Sequence, residues 1–159
     1  MNRIFIRGED LKLPPEAKNT GSFIKKVLKI LNKNNWELSV LFCSNSYIKS
    51  LNERYRNKNE ATDVLSFPMG FSREEIRAES EPEGPYMAGD IVISLDALEE
   101  NTKFFGVSAE EELHRLLVHG ILHLMGEDHT TNKTGEPMLL TQEKILALTK
   151  QTGAREKTK

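Results

Sequence analysis

The stretch His119-Gly120-Ile121-Leu122-His123-Leu124-Met125-Gly126-Glu127-Asp128-His129 constrains the fold more than any other part of the chain, because it gathers three of the four histidines. His119 and His123 stand at positions i and i+4, which share one face of a helix with Cβ atoms roughly 6 Å apart. Gly126 suits the left-handed turn that stops a helix. Beyond it the chain can fold back and bring His129 to the same point from a loop. Three nitrogen ligands with an open fourth position is the arrangement of a catalytic zinc site. The competing interpretation is structural. Leu116, Leu117, Val118, Ile121, Leu122, Leu124 and Met125 make the helix apolar nearly all round, so it is buried, and a lone histidine there is more often a hydrogen-bonded core residue. Two histidines on one face and a third past a glycine stop favour metal, since each uncompensated buried imidazole costs stability.

The chain length, 159 residues, fits one domain, and a chain of this size buries roughly 70% of the surface its unfolded form exposes. Disulfides are not needed, and the single cysteine, Cys43, can form none internally. It ends an expected strand and reads as a buried structural thiol. A reducing cytoplasm agrees with this usage. Arg3 and Arg7 bracket only Ile4-Phe5-Ile6, too short for a signal-peptide core, and no apolar run approaches the ~20 residues that span a membrane. The expected location is therefore cytoplasmic. With a formal net charge of −2, nucleic-acid binding has to come from a local patch, because phosphate contacts dominate such affinity.

Ile4 and Ile6 alternate with Phe5 and Arg7 as a weak strand. After Leu13-Pro14-Pro15, the residues Phe23, Ile24, Val27, Leu28 and Leu31 repeat at helical spacing, with Ser22 as a possible cap and Lys25, Lys26 and Lys29 on the wet side. Trp36 to Phe42 begins as an alternating strand and turns apolar on both sides, as in the middle of a sheet. A helix from about Asn45 places Tyr47, Ile48, Leu51 and Tyr55 inward and ends in Arg54, Arg56 and Lys58. That basic end is either favourable charge at a helix C-terminus or a phosphate site. Thr62 to Phe67 is a short strand stopped by Pro68. The acidic segment 69–87, rich in Glu, Gly and Pro, reads as a mobile loop. Gly89 to Ser94 then returns as a strand antiparallel to its neighbour. A helix over Leu95–Phe105 stops at Gly106, and Ser108-Ala109-Glu110-Glu111 forms a capping box that starts the histidine helix, about Ala109 to Met125. His114 lies on another face of it and is not counted as a ligand. A last helix covers about Pro137 to Lys150, and 153–159 reads as a flexible tail. The fold class is α+β, a single domain over 1–159 with a small mixed sheet of about four strands packed against about five helices, the histidine helix central.

The histidine stretch resembles the H-G-x-L-H-L-x-G-x-D-H signature of the YbeY family, bacterial endoribonucleases of ribosomal RNA maturation. Tyr55-Arg56-Asn57-Lys58 with Thr62-Asp63-Val64-Leu65-Ser66-Phe67-Pro68 resembles that family's second signature, and Gly89-Asp90-Ile91-Val92-Ile93 its third. The three occur in the family's order and span most of the chain. Glu127 departs from the aromatic or histidine usual there, and Ala61 from the common proline. The resemblance implies the same α+β fold, a metal-dependent hydrolase of single-stranded RNA, ribosomal RNA precursors as substrate, and ribosomal or ribosome-associated proteins as further partners.

Zinc held by His119, His123 and His129 lowers the pKa of a water to about 7, which serves attack on a peptide carbonyl or on a phosphodiester. Imidazole also suits nickel. Zinc proteases of the H-E-x-x-H kind place their base directly after the first histidine. Here that position is Gly120, which argues against proteolysis, although Glu127 or Asp128 could substitute. A phosphodiester calls for charge stabilisation, and arginine offers a planar fork matched to phosphate oxygens. The resemblance points to Arg56 for this role; spacing alone does not select it over Arg54 or Lys58. Asp128 either orients a metal-bound histidine, the favoured role, or handles a proton. Asp90 is either structural or part of the cleft. Three functions are weighed: a zinc-dependent endoribonuclease, which the resemblance places in ribosomal RNA processing and ribosome quality control; a peptide-cleaving metallohydrolase; or a non-enzymatic ribosome-assembly factor with structural zinc.

Overall fold

The computed structural model describes residues 1–69 and 84–157, with side chains described as far as Gln151. Four strands and five α-helices alternate along these residues: β1 (Arg3–Gly8), α1 (Thr20–Ile30), β2 (Trp36–Cys43), α2 (Asn45–Arg56), β3 (Val64–Pro68), β4 (Tyr86–Ser94), α3 (Leu95–Phe105), α4 (Ala109–Leu124) and α5 (Pro137–Lys157). The strands form one mixed sheet in the order β1-β2-β4-β3. β2 runs parallel to β1 and to β4. β3 pairs antiparallel with β4 and is an edge, as expected where a loop rather than a helix connects two strands.

The apolar run of β2 has its explanation in this order. Leu38, Val40 and Phe42 join Ile91 and Ile93 of β4 in the main core, under α1, α4 and α5. Leu41 and Cys43 turn to the other face and pack with Val92, Leu65 and Ile48 of α2. A strand buried on both faces loses the alternation of a half-exposed one. Burial pushes the Cys43 thiol up to about 12, so it is an inert core group. Asp90 accepts a hydrogen bond from Ser39 Oγ, on the sheet face that also carries Leu41 and Val92 and away from the one that receives α4.

Several boundaries differ from those expected. α1 starts at Thr20 after a 3-10 turn over Pro15–Asn19, and Ser22 Oγ donates back to the Asn19 carbonyl at 3.0 Å instead of capping the helix. Tyr55 points outward, 58% exposed, and meets the Phe67 ring edge-on at 5.6 Å; Asn52 is buried in its place and donates to the Glu60 carbonyl. The acidic segment assigned to a mobile loop lies outside the described residues over 70–83. Its end at Tyr86 and Met87 already belongs to β4, where Tyr86 packs on Trp36 with ring centroids 5.0 Å apart. α5 continues to Lys157 because Ala154, Arg155, Glu156 and Lys157 all favour helix, and Gly153 alone costs only about 1 kcal/mol.

The register between β2 and β4 shifts at Glu37/Leu38, opposite Met87 and Gly89. Gly89 has φ +136°, and a Cβ there would lie 2.2 Å from the Phe67 carbonyl oxygen. Only glycine fits a bulge with both properties. Gly89→Ala should destabilise the fold by about 2–3 kcal/mol, read as a lower urea midpoint; an unchanged midpoint would show that the strand pair relaxes without strain.

Candidate metal centre and active-site cleft

α4 is capped at both ends by local sequence. Ser108 Oγ accepts from Glu111 N–H at 3.1 Å, and Glu110, Glu111 and Glu112 complement the positive N-terminus of the helix. At the other end Gly126 adopts φ +87°. Gly126 N–H donates to the His123 carbonyl at 2.9 Å and Glu127 N–H to the Leu122 carbonyl at 3.0 Å, the paired bonds of a Schellman stop. This turn sends the chain back over the helix, and His119, His123 and His129 come together with ligand atoms within 4.8 Å of one another.

Each ring is fixed by its Nδ1. His119 Nδ1 faces Gln142 Oε1 at 2.8 Å, His123 Nδ1 the Glu127 carbonyl at 3.0 Å, and His129 Nδ1 the Thr131 carbonyl at 2.8 Å. Oxygens of this kind only accept, so every Nδ1 carries a proton, and in a neutral ring the lone pair is then on Nε2. The Nε2 atoms of His119 and His123 lie 3.1 Å apart. Two bare lone pairs at that distance repel. Two imidazoles sharing a tetrahedral ion at 2.0–2.1 Å hold their nitrogens ~3.3 Å apart. The residues therefore fit a transition metal, and these three histidines could hold one. Burial, followed by the neighbouring His119, pulls His123 down to about 4; burial likewise lowers His119. Neutral rings are the ligating form.

His114 belongs elsewhere, stacked on Phe23 with centroids 3.7 Å apart. Asp128 accepts the backbone N–H of His129 at 2.8 Å, so it meets that histidine through the main chain and not the ring. The carboxylate of Glu136 gathers Thr130 Oγ1, Thr131 N–H and Thr131 Oγ1, tying down the loop whose carbonyl holds His129.

A cleft of about 420 Å3 runs from His119 and His123 to Arg56, with Ser66, Glu127 and Asp128 also on its walls. Arg56 donates through Nη2 to the Ser66 carbonyl at 2.7 Å and lies 5.8 Å from the Phe67 ring centroid. Ser66 Oγ in turn donates to the Gly120 carbonyl at 3.4 Å. Edge strand β3 thus links the end of α2 to the helix turn beside His119. Arg54 turns instead to the Tyr55 ring, 5.4 Å from its centroid. Sequence reasoning gave no role to Ser66 or Gln142. Gln142 had a signal: it interrupts the apolar stripe Met138, Ile145, Leu146 on α5, and a polar residue buried to 5% needs a partner.

Two outcomes follow from this geometry. Gln142→Ala should weaken metal binding about 10- to 100-fold, as loss of an outer partner typically does, while His114→Ala leaves it unchanged; competition against a chromophoric chelator measures both, and an unaffected Gln142→Ala protein would remove that residue from the centre. The second is pH dependence without metal. With His123 depressed to about 4 against an unfolded value of about 6.5, the unfolded chain binds more protons between these pH values. Stability is then full above about pH 6.5 and declines as pH falls toward about 4. In chelator, the melting temperature should drop across that window, and His123→Asn should reduce the slope; equal slopes in the two proteins would contradict the assignment.

The chain matches the family model described as endoribonuclease YbeY over residues 6–150. Curated relatives named endoribonuclease YbeY include those of Treponema denticola, 49% identical over 79% of this chain and 78% of the relative, Treponema pallidum, 38% identical over 92% and 89%, and Borreliella burgdorferi, 45% identical over 78% and 81%. The solution structure of TM1509 from Thermotoga maritima superposes with a TM-score of 0.60 at 28% identity, over 92% of this chain and 87% of that one. With a matching family model across most of its length and relatives well above 30% identity, the chain belongs to the endoribonuclease YbeY family.

Proposed function

We propose that this protein is a zinc-dependent, single-strand-specific endoribonuclease that acts on ribosomal RNA precursors in the cytoplasm, in ribosome maturation and quality control. The observation that carries the reading is the cleft shared by Arg56, His119 and His123. His119, His123 and His129 would hold the zinc, with nickel a second candidate on ligand type. When bound, such an ion supplies a nucleophile at neutral pH by lowering the pKa of water, together with Lewis acidity toward a phosphoryl oxygen.

The chain's own residues do the rest. A guanidinium has five N–H donors, and the Ser66 carbonyl engages Arg56 through Nη2 alone. That bond fixes the fork, and the remaining donors serve a phosphate in the cleft at no cost of reorganisation. Asp128 fixes the backbone of His129 and lines the same cleft, where it can also take a proton. Peptide hydrolysis of the H-E-x-x-H kind is less well supported, because a Cβ at position 120 would already lie 2.9 Å from Ile91 Cγ2, and a glutamate has no room there.

Arg56→Ala should keep its metal and lose only about 1 kcal/mol of stability with the Ser66 bond, yet cleave single-stranded RNA a hundred- to a thousand-fold more slowly. Arg56→Lys should recover part of this, since a point charge does not reproduce the fork. Metal content, melting temperature and single-turnover cleavage of RNA and of a casein control, on the same preparations, decide it. Unchanged cleavage in metal-loaded Arg56→Ala sinks the role of Arg56. A metal-loaded wild type that binds RNA and cuts nothing supports the assembly-factor reading.

A further inference from the structure

We propose that a second cleft, on the His129 side of the histidine cluster, is a nucleobase subsite that takes a base with an exocyclic amino group and so prefers cytosine to uracil. The inference rests on the endoribonuclease reading and adds base selection to it. The cleft measures about 770 Å3 and is walled by Glu112, Leu116, Phe105, Arg115, His119 and His129 among others. It shares His119 with the cleft that holds Arg56. A strand with one phosphate at the histidines would therefore send neighbouring nucleotides to either side of them.

Glu112 is the feature that asks for a ligand. It lies seven residues before His119 on α4, nearly two full turns, so the two side chains share one stripe of the helix ~10 Å apart along the axis. Glu112 is 1% exposed. Its Oε1 stands 3.9 Å from Arg115 Nε, while Arg115 gives its short bond, 2.6 Å, to Glu143. Glu112 Oε2 is buried and has no hydrogen-bond partner among the described residues. The nearby Asp63 offers no donor and is itself occupied by Asn101 Nδ2 at 3.1 Å. An unpaired buried acceptor is costly, and a carboxylate more so than a neutral group. The cost is relieved by a ligand that brings an N–H to this place.

The walls indicate what carries that N–H. Phe105 is 60% exposed at the C-terminal end of α3, and Leu116 is buried. Single-stranded RNA is recognised by stacking unpaired bases on aromatic rings and reading their edges with hydrogen bonds. Glutamate accepts from the cytosine amino group. Cytosine and uracil stack alike, but at the edge concerned cytosine presents an amino donor where uracil presents a carbonyl, which a carboxylate repels.

The test is equilibrium binding of short 2′-O-methyl oligocytidylate and oligouridylate to the metal-loaded full-length protein, by fluorescence anisotropy at one fixed salt concentration. Wild type should bind oligocytidylate about tenfold more tightly. Glu112→Gln, whose carboxamide both donates and accepts, should bring the two within about twofold. Phe105→Ala, an exposed change that leaves the core intact, should weaken both about tenfold and keep their ratio. Equal wild-type affinities, or a cytosine preference that survives in folded Glu112→Gln, would overturn the subsite. If Glu112→Gln does not fold, the wild-type ratio and the Phe105→Ala loss still decide. Binding of both oligonucleotides without preference defeats the base subsite alone, whereas binding of neither defeats the endoribonuclease reading as well.

Discussion

The contact between Gly120 and Ile91 is the constraint on which the site depends. A Cβ on Gly120 would sit 2.9–3.1 Å from three atoms of the Ile91 side chain, closer than ordinary packing. Without that Cβ, α4 settles directly onto β4, and the Gly120 carbonyl comes within reach of Ser66 Oγ. Ser66 belongs to the neighbouring strand β3, and its carbonyl receives Arg56. One close approach of backbone to sheet thus sets the spacing between a helix that carries two histidines and an arginine from the helix on the opposite face. Core packing tolerates few gaps, so that spacing is transmitted by rigid elements rather than left to loops.

The parts of this arrangement that the sequence revealed are those with local causes. The i and i+4 histidines, the Gly126 stop and the return of His129 follow from helix geometry over one short stretch, and the structure places all three rings together. The burial of β2 on both faces was legible from its loss of alternation. Long-range partners were not legible. Nothing in the spacing of Gln142 connects it to His119, and Ser66 reaches Gly120 only because β3 and α4 pack side by side. Tyr55 misled because an aromatic at helical spacing reads as core. At the last turn of α2 the Tyr55 ring meets the exposed side of edge strand β3, edge-on to Phe67. Ser22 misled because a 3-10 turn continues into α1 and moves the helix start ahead of it.

The three imidazoles also show how a half-buried polar cluster is oriented before a ligand arrives. Their Nδ1 partners come from three different places: a side chain on α5, the backbone just after the Schellman turn, and a loop carbonyl held by Glu136. Each partner is an acceptor, so the tautomer is set before any ligand arrives. Burial disfavours protonation of His119 and His123. Both effects act in one direction, toward bare Nε2 atoms that face one another.

The same packing that seats α4 also decides where acidic groups can stand. Position 120 points into the sheet and holds no carboxylate. The acidic residues of the cleft, Glu127 and Asp128, lie instead beyond the helix end, on the chain that returns His129. Arg56 enters from across the sheet edge. A guanidinium and two carboxylates thereby stand on two separate elements that flank the histidines. The proposed function places a substrate between them, and the two clefts that share His119 open to either side. The single-stranded RNA of that proposal can lie extended across both, whereas a compact duplex does not expose its bases to a cleft of this kind.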